Sequence, residues 1–264
     1  MDINKIIDIV RTAGEILKTA HLEKEQIFDK EGDANFVTAF DMKIQKYLIE
    51  KILEIVPDAS FYGEEESTEN KKEISDTGYT FIIDPIDGTT NFMFDYKTSC
   101  ISVGIAYKGE LYAGIVYNPY VDNMYTAVKG KGSYVNNKKL FIEDKGLEEG
   151  ISAFGCARYN EDSTGLLFAT ISKLFYKTLA IRSCGSAAID LSRIATGSNV
   201  VYFEMLLQPY DYAAAAVLIE EAGGVITQLD GSNITIDHGC SILAGTKKAT
   251  AQLRELMDNC KADN

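Results

Sequence analysis

Two stretches near the N-terminus have apolar residues at the spacing of an α-helix. Between residues 3 and 17 these residues recur every three or four positions, and Asp2 precedes them as a candidate cap. A second stretch with the same spacing begins at about Asp41 and continues to residue 55. The intervening residues 28–35 are polar and contain Gly32, so we predict a loop there.

The apolar pattern changes to a period of two between residues 79 and 134. Ile101, Val103 and Ile105 alternate with smaller residues, and residues 111–117 alternate in the same way after a Lys-Gly turn at 108–109. Alternation of this kind predicts strands, and a short turn between two such runs predicts a hairpin. We therefore expect an antiparallel meander in this part of the chain.

After residue 150, short apolar runs alternate with helical patterns. We predict strands at residues 151–154, 178–183, 200–203 and 225–229, and helices at residues 162–175, 186–196, 210–222 and 247–260. Such alternation is typical of an α/β layer. The expected organisation is an N-terminal α+β subdomain, residues 1–150, and a C-terminal α/β subdomain, residues 151–264, around a shared cleft.

Charge and cysteine content narrow the possible partners. The 264 residues include 26 Lys and Arg against 39 Asp and Glu, a net charge of −13, which disfavours non-specific binding to nucleic acid. A small phosphorylated substrate is compatible with this charge if metal ions reverse the local field. The five cysteines form no C-x-x-C pair, which fits reduced thiols. Because the N-terminus lacks a signal-peptide pattern and no apolar run approaches the roughly 18 residues of a membrane span, we expect a cytoplasmic protein without membrane contact.

The segment with the most specific chemistry is residues 84–92, which follow the apolar run 79–83 and read Asp-Pro-Ile-Asp-Gly-Thr-Thr-Asn-Phe. Two carboxylates three positions apart offer oxygen ligands to a hard divalent cation, and a helix start offers backbone N–H groups to a phosphate. The alternative is an ordinary turn, since Asp-Pro and Asp-Gly are common turn dipeptides. Other segments must decide between the two.

Further acidic residues occur where a metal site could gather them. Glu64 follows a glycine in Gly-Glu-Glu-Glu, residues 63–66, and is either a cation ligand or part of an acidic helix start or solvated loop. Asp211 and Asp41 are each either ligands or helix caps. The four alanines after Tyr212 predict that the helix start at Asp211 packs closely against another backbone. The small-residue turn at 182–188 offers N–H groups to hydroxyls or an anion.

Together these segments resemble the inositol monophosphatase family of magnesium-dependent, lithium-sensitive sugar phosphatases. Gly-Glu-Glu at 63–65, Asp-Pro-Ile-Asp-Gly-Thr at 84–89 and Asp-x-Ala-Ala at 211–214 keep the family's order and separations, and the resemblance spans residues 37–224. It implies a layered αβαβα sugar-phosphatase fold of the α/β (α+β) class, with an antiparallel sheet in the N-terminal part and a second, smaller α/β part. It also implies a homodimer.

The resemblance implies roles for individual residues. Two or three Mg²⁺ ions would be held by Glu64, Asp84, the carbonyl of Ile86, Asp87 and Asp211. The catalytic residues would be Asp41 and Thr89, which orient the attacking water, together with Glu64. Substrate contacts would come from Asp87, the backbone amides of Gly88 and Thr89, and Ser186, Ala187 and Glu204. One position departs from the family, which usually carries Trp where this chain has Tyr210, so we expect a changed substrate preference.

The predicted reaction is direct hydrolysis of the phosphate monoester of a small polyol or sugar, most simply inositol 1-phosphate. Clustered carboxylates repel one another unless cations neutralise them, and two divalent ions can hold both oxygens of an in-line displacement. Fructose-1,6-bisphosphatase activity and removal of the 3′-phosphate from adenosine 3′,5′-bisphosphate are alternatives. A metal-binding interaction protein on the same fold is a non-enzymatic alternative. The turn at 185–188 and Glu204 favour a hydroxyl-rich sugar over a nucleotide.

Overall fold

Two β-sheets, a larger and a smaller one, carry the helices of this chain. The computed structural model describes residues 1–20, 27–29, 36–65, 73–156 and 164–262. The elements before residue 140 are α1 (Ile3–Thr19), β1 (Ile27–Asp29), β2 (Phe36–Thr38), α2 (Ala39–Leu53), β3 (Ser60–Gly63), β4 (Tyr79–Asp87), α3 (Thr89–Met93), β5 (Cys100–Tyr107), β6 (Glu110–Asn118), β7 (Asn123–Val128), β8 (Gly132–Val135) and β9 (Lys138–Lys139). Among all the residues that the structure describes, no helix combines the length and apolar character needed to cross a membrane.

The later elements alternate as the sequence predicts. A short 3-10 helix (Leu147–Glu149) precedes β10 (Ile151–Phe154), α4 (Thr164–Leu174), β11 (Ala180–Arg182), α5 (Ala187–Ala195), β12 (Asn199–Leu207), α6 (Pro209–Glu221), β13 (Val225–Thr227), β14 (Cys240–Gly245) and α7 (Lys247–Ala262). The boundary proposed at residue 150 stays a prediction.

The larger sheet has seven strands in the order β3-β4-β5-β6-β7-β8-β9. All its pairs are antiparallel except β3 with β4, so the predicted meander is confirmed from β4 onward. The smaller sheet has five strands in the order β11-β10-β12-β14-β13. Its β10 pairs in parallel with β11 and β12, whereas β14 runs antiparallel to both neighbours, so the sheet is mixed.

Apolar clusters join these sheets and helices into five layers. On one face of the larger sheet, α1 and α2 bury residues such as Ile6 and Ile44 against Val103 of β5. On the other face, α5 and α6 lie between the two sheets, and Ala215 of α6 shares a cluster with Tyr202 of β12. The outer face of the smaller sheet is covered by α4 and α7. The expected αβαβα layering is confirmed, because each sheet buries both faces against helices.

The structure corrects several boundaries predicted from the sequence. Strand β14 was not predicted, although it pairs centrally in the smaller sheet. Phe28 and Asp29 belong to β1, which pairs with β2, so the predicted loop at 28–35 is wrong at its start, and residues 30–35 lie outside the described residues. Helix α2 begins at Ala39 rather than Asp41, because Thr38 caps it.

Candidate active site

Asp84 and Asp87 lie at the C-terminal end of β4, where its pairing with β5 shifts register between these two residues. Pro85 has no N–H to donate, which accounts for the interruption of the ladder. Oδ1 of the Asp84 side chain accepts a hydrogen bond from the N–H of Ile86, two residues later in the chain, at 3.0 Å. Gly88 then adopts a φ of 90°, a left-handed conformation that suits glycine, and α3 begins. The predicted strand–turn–helix order is confirmed.

Close packing of α6 brings Asp211 to the same place. A Cβ added to Gly114 of β6 would lie 2.0 Å from the Ala214 carbonyl oxygen, and one on Gly104 of β5 would lie 2.7 Å from the Ala213 Cβ. Only glycine permits this approach, so the prediction from the alanine run is confirmed. Asp211 also accepts a hydrogen bond from the Gln208 N–H at 2.7 Å, and its capping role therefore coexists with its place in the cluster.

The carboxylates of Asp84, Asp87 and Asp211 converge, each offering an oxygen within 4.8 Å of the others. Burial raises the pKa of all three, and the charges of neighbouring acids raise it further. The pKa of Asp87 reaches about 6 although the Ser186 hydroxyl and the Ala188 N–H both donate to it.

Each of the three carboxylates has one oxygen engaged by the chain and one that is not. Oδ1 of Asp84 and Oδ2 of Asp87 and Asp211 accept hydrogen bonds, and the second oxygen of each accepts none from the described residues. Buried, mutually repelling acids whose hydrogen bonds within the described residues engage one oxygen each fit a hard divalent cation, which would neutralise them.

Glu64 lies beside this cluster but outside the group of mutually close oxygens. It follows β3, and its N–H donates to the Ile83 carbonyl of β4 at 3.0 Å. Its charge raises the pKa of Asp84 and of Asp41. Gln45 fixes this loop by bonding the backbone N–H and C=O of Glu65. The helix-start interpretation is wrong for residues 64 and 65, which form a bend, while Glu66 lies outside the described residues.

Asp41 and Thr89 lie close to each other beside the cluster. Asp41 is the third residue of α2 and accepts hydrogen bonds from the Thr38 N–H at 2.8 Å and the Thr38 hydroxyl at 2.5 Å. The Thr89 hydroxyl lies 3.4 Å from Oδ1 of Asp41 and 3.1 Å from the Ile86 carbonyl oxygen, and its single proton serves one of them at a time. Burial raises the pKa of Asp41 to about 7, and the Glu64 charge adds to this effect.

The turn before α5 is joined to both Asp87 and α3. Asn91 of α3 donates from Nδ2 to the carbonyls of Thr98 and Cys184, each at 2.7 Å. Ser186 is the N-cap of α5, and its hydroxyl donates to Asp87 at 2.5 Å. The Asp87 carboxylate of the chain itself is therefore one anion that this turn binds, while the substrate contacts expected of Ser186 and Ala187, which line the cavity beside it, stay a prediction.

A cavity of about 200 Å³ opens beside Asp87 and Asp211. Its lining residues include Phe154, Gly155, Cys156, Ser186, Ala187, Asp190, Tyr202 and Glu204, and no Lys, Arg or His is among the described residues that line it. The Tyr202 hydroxyl donates to Glu204, whose pKa burial raises to about 7. A larger cavity of about 900 Å³ next to α7 contains none of these residues, so size alone does not identify the site.

Several residues of this region were not found from the sequence. Tyr202 precedes Glu204 by two positions on a strand, so the period of two would have placed both side chains on one face. Asn91, Gly155 and Asp190 carry no comparable signal. Tyr210, expected as an aromatic wall for the substrate, is not a lining residue of the cavity; it packs instead against a small cluster that includes Tyr62.

Comparisons with known proteins match nearly the whole chain. The family model described as "Inositol monophosphatase family" matches residues 3–262. "Inositol monophosphatase 1" from Homo sapiens is 36% identical over 229 residues, covering 85% of this chain and 82% of the human protein. "Inositol-1-monophosphatase" from Bacillus subtilis is 35% identical over 237 residues, covering 89% and 88%. Staphylococcal SaIMPase-II, solved with inositol monophosphate bound, is 26% identical with a TM-score of 0.83, covering 98% of this chain and 96% of that chain.

Proposed function

Because the chain belongs to the inositol monophosphatase family and is a phosphatase, we propose that it hydrolyses the phosphate monoester of a small polyol or sugar, with inositol 1-phosphate as the preferred substrate. The observation that carries this proposal is the convergence of Asp84, Asp87 and Asp211 beside a cavity without cationic side chains among its described lining residues. The inositol monophosphate bound by the staphylococcal relative supports the choice of substrate.

The cluster fits two or three Mg²⁺ ions. Glu64, Asp84 and the Ile86 carbonyl would hold one ion, and Asp84, Asp87 and Asp211 another. When bound, magnesium neutralises the carboxylates, stabilises the charge of the phosphoryl group and makes a water molecule more acidic. The raised pKa values of Asp84 and Asp211 support this assignment, since a cation beside these buried carboxylates would favour their charged form.

Asp41 and Thr89 would orient the attacking water. When the Thr89 hydroxyl donates its proton to Asp41, the Thr89 oxygen is left to accept a hydrogen bond from the water. Glu64 contributes negative charge next to Asp41. The N–H groups of Gly88 and Thr89 stand at the start of α3, where helical N–H groups lack carbonyl partners within the helix, and would hold the phosphate oxygens. No covalent phosphoenzyme is required.

The cavity wall favours a neutral leaving group. Glu204 and Asp190 place two carboxylates in the wall, and because Arg193 is already paired with Asp190, a second phosphate on the substrate would meet no unpaired cationic side chain among the described lining residues. A polyol instead offers hydroxyl groups that donate to carboxylates. This arrangement favours inositol 1-phosphate over fructose 1,6-bisphosphate and adenosine 3′,5′-bisphosphate.

A substrate panel tests the proposal. Purified protein with magnesium should release phosphate from inositol 1-phosphate with a kcat/KM at least about tenfold above that for either bisphosphate, the equivalent of one lost hydrogen bond or one unpaired charge. A preference for adenosine 3′,5′-bisphosphate would show that the substrate is wrong. A protein that binds magnesium and hydrolyses none of the esters would instead support the metal-binding interaction role. Lithium at millimolar concentration should inhibit the active enzyme.

We also propose that the protein forms a homodimer in the cytoplasm. Phe168 of α4 and the following Phe175, Tyr176 and Leu179 are exposed apolar residues of the kind that association buries. All five cysteines are free, which fits a reducing compartment. Light scattering across a concentration series should give twice the chain mass, and Tyr176→Asp should shift the protein toward monomer. A monomer at every concentration would contradict the dimer.

A further inference from the structure

The Glu204 carboxylate is closely packed on the side that faces Gly155. Its Oε2 accepts the hydrogen bond of the Tyr202 hydroxyl. A Cβ added to Gly155 would lie 2.0 Å from this oxygen and 2.5 Å from the Tyr202 hydroxyl oxygen. Oε2 of Glu204 and the Tyr202 hydroxyl oxygen therefore both lie too close to Gly155 for an alanine side chain to fit at this position.

The backbone holds these three residues in register. The Gly155 N–H donates to the Phe203 carbonyl at 3.0 Å, so Gly155 extends the parallel pairing of β10 with β12. Tyr202 and Glu204 lie two positions apart on β12 and share one face of that strand. Tyr202 is 1% exposed, so its hydroxyl cannot exchange Glu204 for bulk water. Burial of the Tyr202 hydroxyl therefore favours its hydrogen bond to Glu204 over one to water.

The second oxygen of Glu204, Oε1, differs from Oε2 in its hydrogen bonding. Oε1 accepts no hydrogen bond from any residue that the structure describes, while Glu204 is a lining residue of the cavity. Tyr202 thus occupies one oxygen and leaves the other as the acceptor that a ligand in the cavity meets. A carboxylate held in one orientation accepts from a hydroxyl at a defined position, whereas a mobile one would lose part of that binding free energy in becoming ordered.

Resting on the proposed function, we propose that Tyr202 is a positioning residue that acts through Glu204, and that Gly155 is required for its geometry. Together they fix Oε2 so that Oε1 accepts a hydrogen bond from a hydroxyl of the leaving group. The pair therefore sets the selectivity for leaving groups that carry hydroxyls over leaving groups that carry none. It takes no part in holding the phosphate.

Tyr202→Phe tests this role, because it keeps the buried ring and removes only the hydroxyl. With inositol 1-phosphate the kcat/KM should fall about tenfold, chiefly through KM, as expected when a hydrogen bond to a charged group is lost. With p-nitrophenyl phosphate, whose leaving group offers no alcohol hydroxyl at the cavity wall, it should change less than about twofold. Gly155→Ala should act in the same direction.

Two controls separate positioning from structural support. Tyr117 is also 1% exposed, and its hydroxyl donates to Asp122 at 3.0 Å in the cluster under α1 and α2, so Tyr117→Phe should leave the ratio of the two substrates unchanged. In a double-mutant cycle, adding Tyr202→Phe to Glu204→Gln should cost almost nothing further with inositol 1-phosphate. Thermal unfolding of each variant identifies those that fail to fold.

An equal loss with both substrates in Tyr202→Phe would overturn the inference, because a structural role affects every substrate alike. An unchanged ratio, or additive losses in the cycle, would overturn it as well. Failure of the proposed function has a different signature, since the wild-type protein itself would then fail to hydrolyse inositol 1-phosphate before any variant is made.

Discussion

Buried acidic side chains occupy two adjoining regions, the end of β4 and the wall of the cavity beside β12. At the end of β4, Asp84, Asp87 and Asp211 bring oxygens within 4.8 Å of one another. In the wall, Glu204 and Asp190 each have a donor of their own: Tyr202 donates to Glu204, while the Cys184 N–H and Arg193 donate to Asp190. The first arrangement needs cations to be stable in its charged form, whereas in the second Asp190 is already paired with the Arg193 cation and Glu204 with a neutral hydroxyl.

The comparison shows that burial alone does not define what an acid binds. Burial is the largest cause of the raised pKa of Asp84 and also of Glu204. What distinguishes the two is the number of neighbouring charges: four other carboxylates raise the pKa of Asp84, whereas two, Asp87 and Asp190, raise that of Glu204. The predictions below alter one region at a time.

The largest effect is expected from removing one charge of the converging group. Asp84→Asn should lower phosphatase activity by at least about a hundredfold, because the cluster loses a shared ligand oxygen. Circular dichroism should show an intact fold, and phosphate release is the measurement. Asp58→Asn, at an exposed turn, is the matched control and should keep full activity. An Asp84→Asn protein with near wild-type activity would contradict the role of the cluster.

Magnesium should stabilise the wild-type protein but not this variant. A ligand present at a hundred times its Kd stabilises by about 2.7 kcal/mol, which for a chain of this size corresponds to a rise in Tm of about 5–10 °C. The measurement is thermal unfolding of metal-stripped protein with and without magnesium. Glu204→Gln should keep the full rise, since it lies in the wall. An equal rise in Asp84→Asn would place the cation elsewhere.

The metal-free protein should lose stability as the pH rises from about 4 to about 7. Asp41, Asp87 and Glu204 have folded pKa values of about 7, 6 and 7 against usual values of 3.8 for Asp and 4.5 for Glu. Because the folded state binds more protons in this range, their contribution is complete below the usual values and is lost as the pH rises through the raised ones.

Chemical denaturation at several pH values measures this dependence. Asp41→Asn should flatten the fall in stability between pH 5 and 7, and magnesium should offset part of it in the wild type by favouring the charged carboxylates. If Asp41→Asn left the slope unchanged, the raised pKa of Asp41 would not contribute to stability.

The smallest effect is expected at Tyr210, which is not among the lining residues of the cavity. Tyr210→Trp should change the ratio of kcat/KM for inositol 1-phosphate and fructose 1,6-bisphosphate by less than about twofold, because Tyr210 is not a lining residue of the cavity. A reversed order of substrates would restore the expectation drawn from the family, that this position governs substrate preference.

Local patterns in the sequence predicted much of the fold and the acidic cluster of Asp84, Asp87 and Asp211. The period of two around Ile101 gave the meander, and the Asp-Pro-Ile-Asp-Gly segment gave the bulged strand end and the turn at Gly88, because both depend on neighbouring residues. At Asp41 and Asp211 a role at the helix start does not exclude a place at the candidate site: each accepts a hydrogen bond from the N–H of the residue that precedes its helix, and each lies in or beside the cluster.

The missed features depend on residues distant in the chain. Strand β14 is a short apolar run whose status follows only from pairing with β12 and β13. Asn91 donates a hydrogen bond to the Cys184 carbonyl, 93 positions away, and no pattern near Asn91 in the sequence predicts that contact. The importance of Gly155 arises from the carboxylate that rests on it, which no spacing rule reveals.

The layer formed by α5 and α6 belongs to both sheets, and its consequence concerns how the chain can be divided. Ala214 presses on Gly114 of the larger sheet, while the same cluster takes in Ile242 and Ala244 of the smaller one. Cutting the chain near residue 150 would expose to solvent the face of the larger sheet that carries Gly114 in the first fragment, and the alanines of α6 in the second. The two fragments would therefore fold only together, as one cooperative unit.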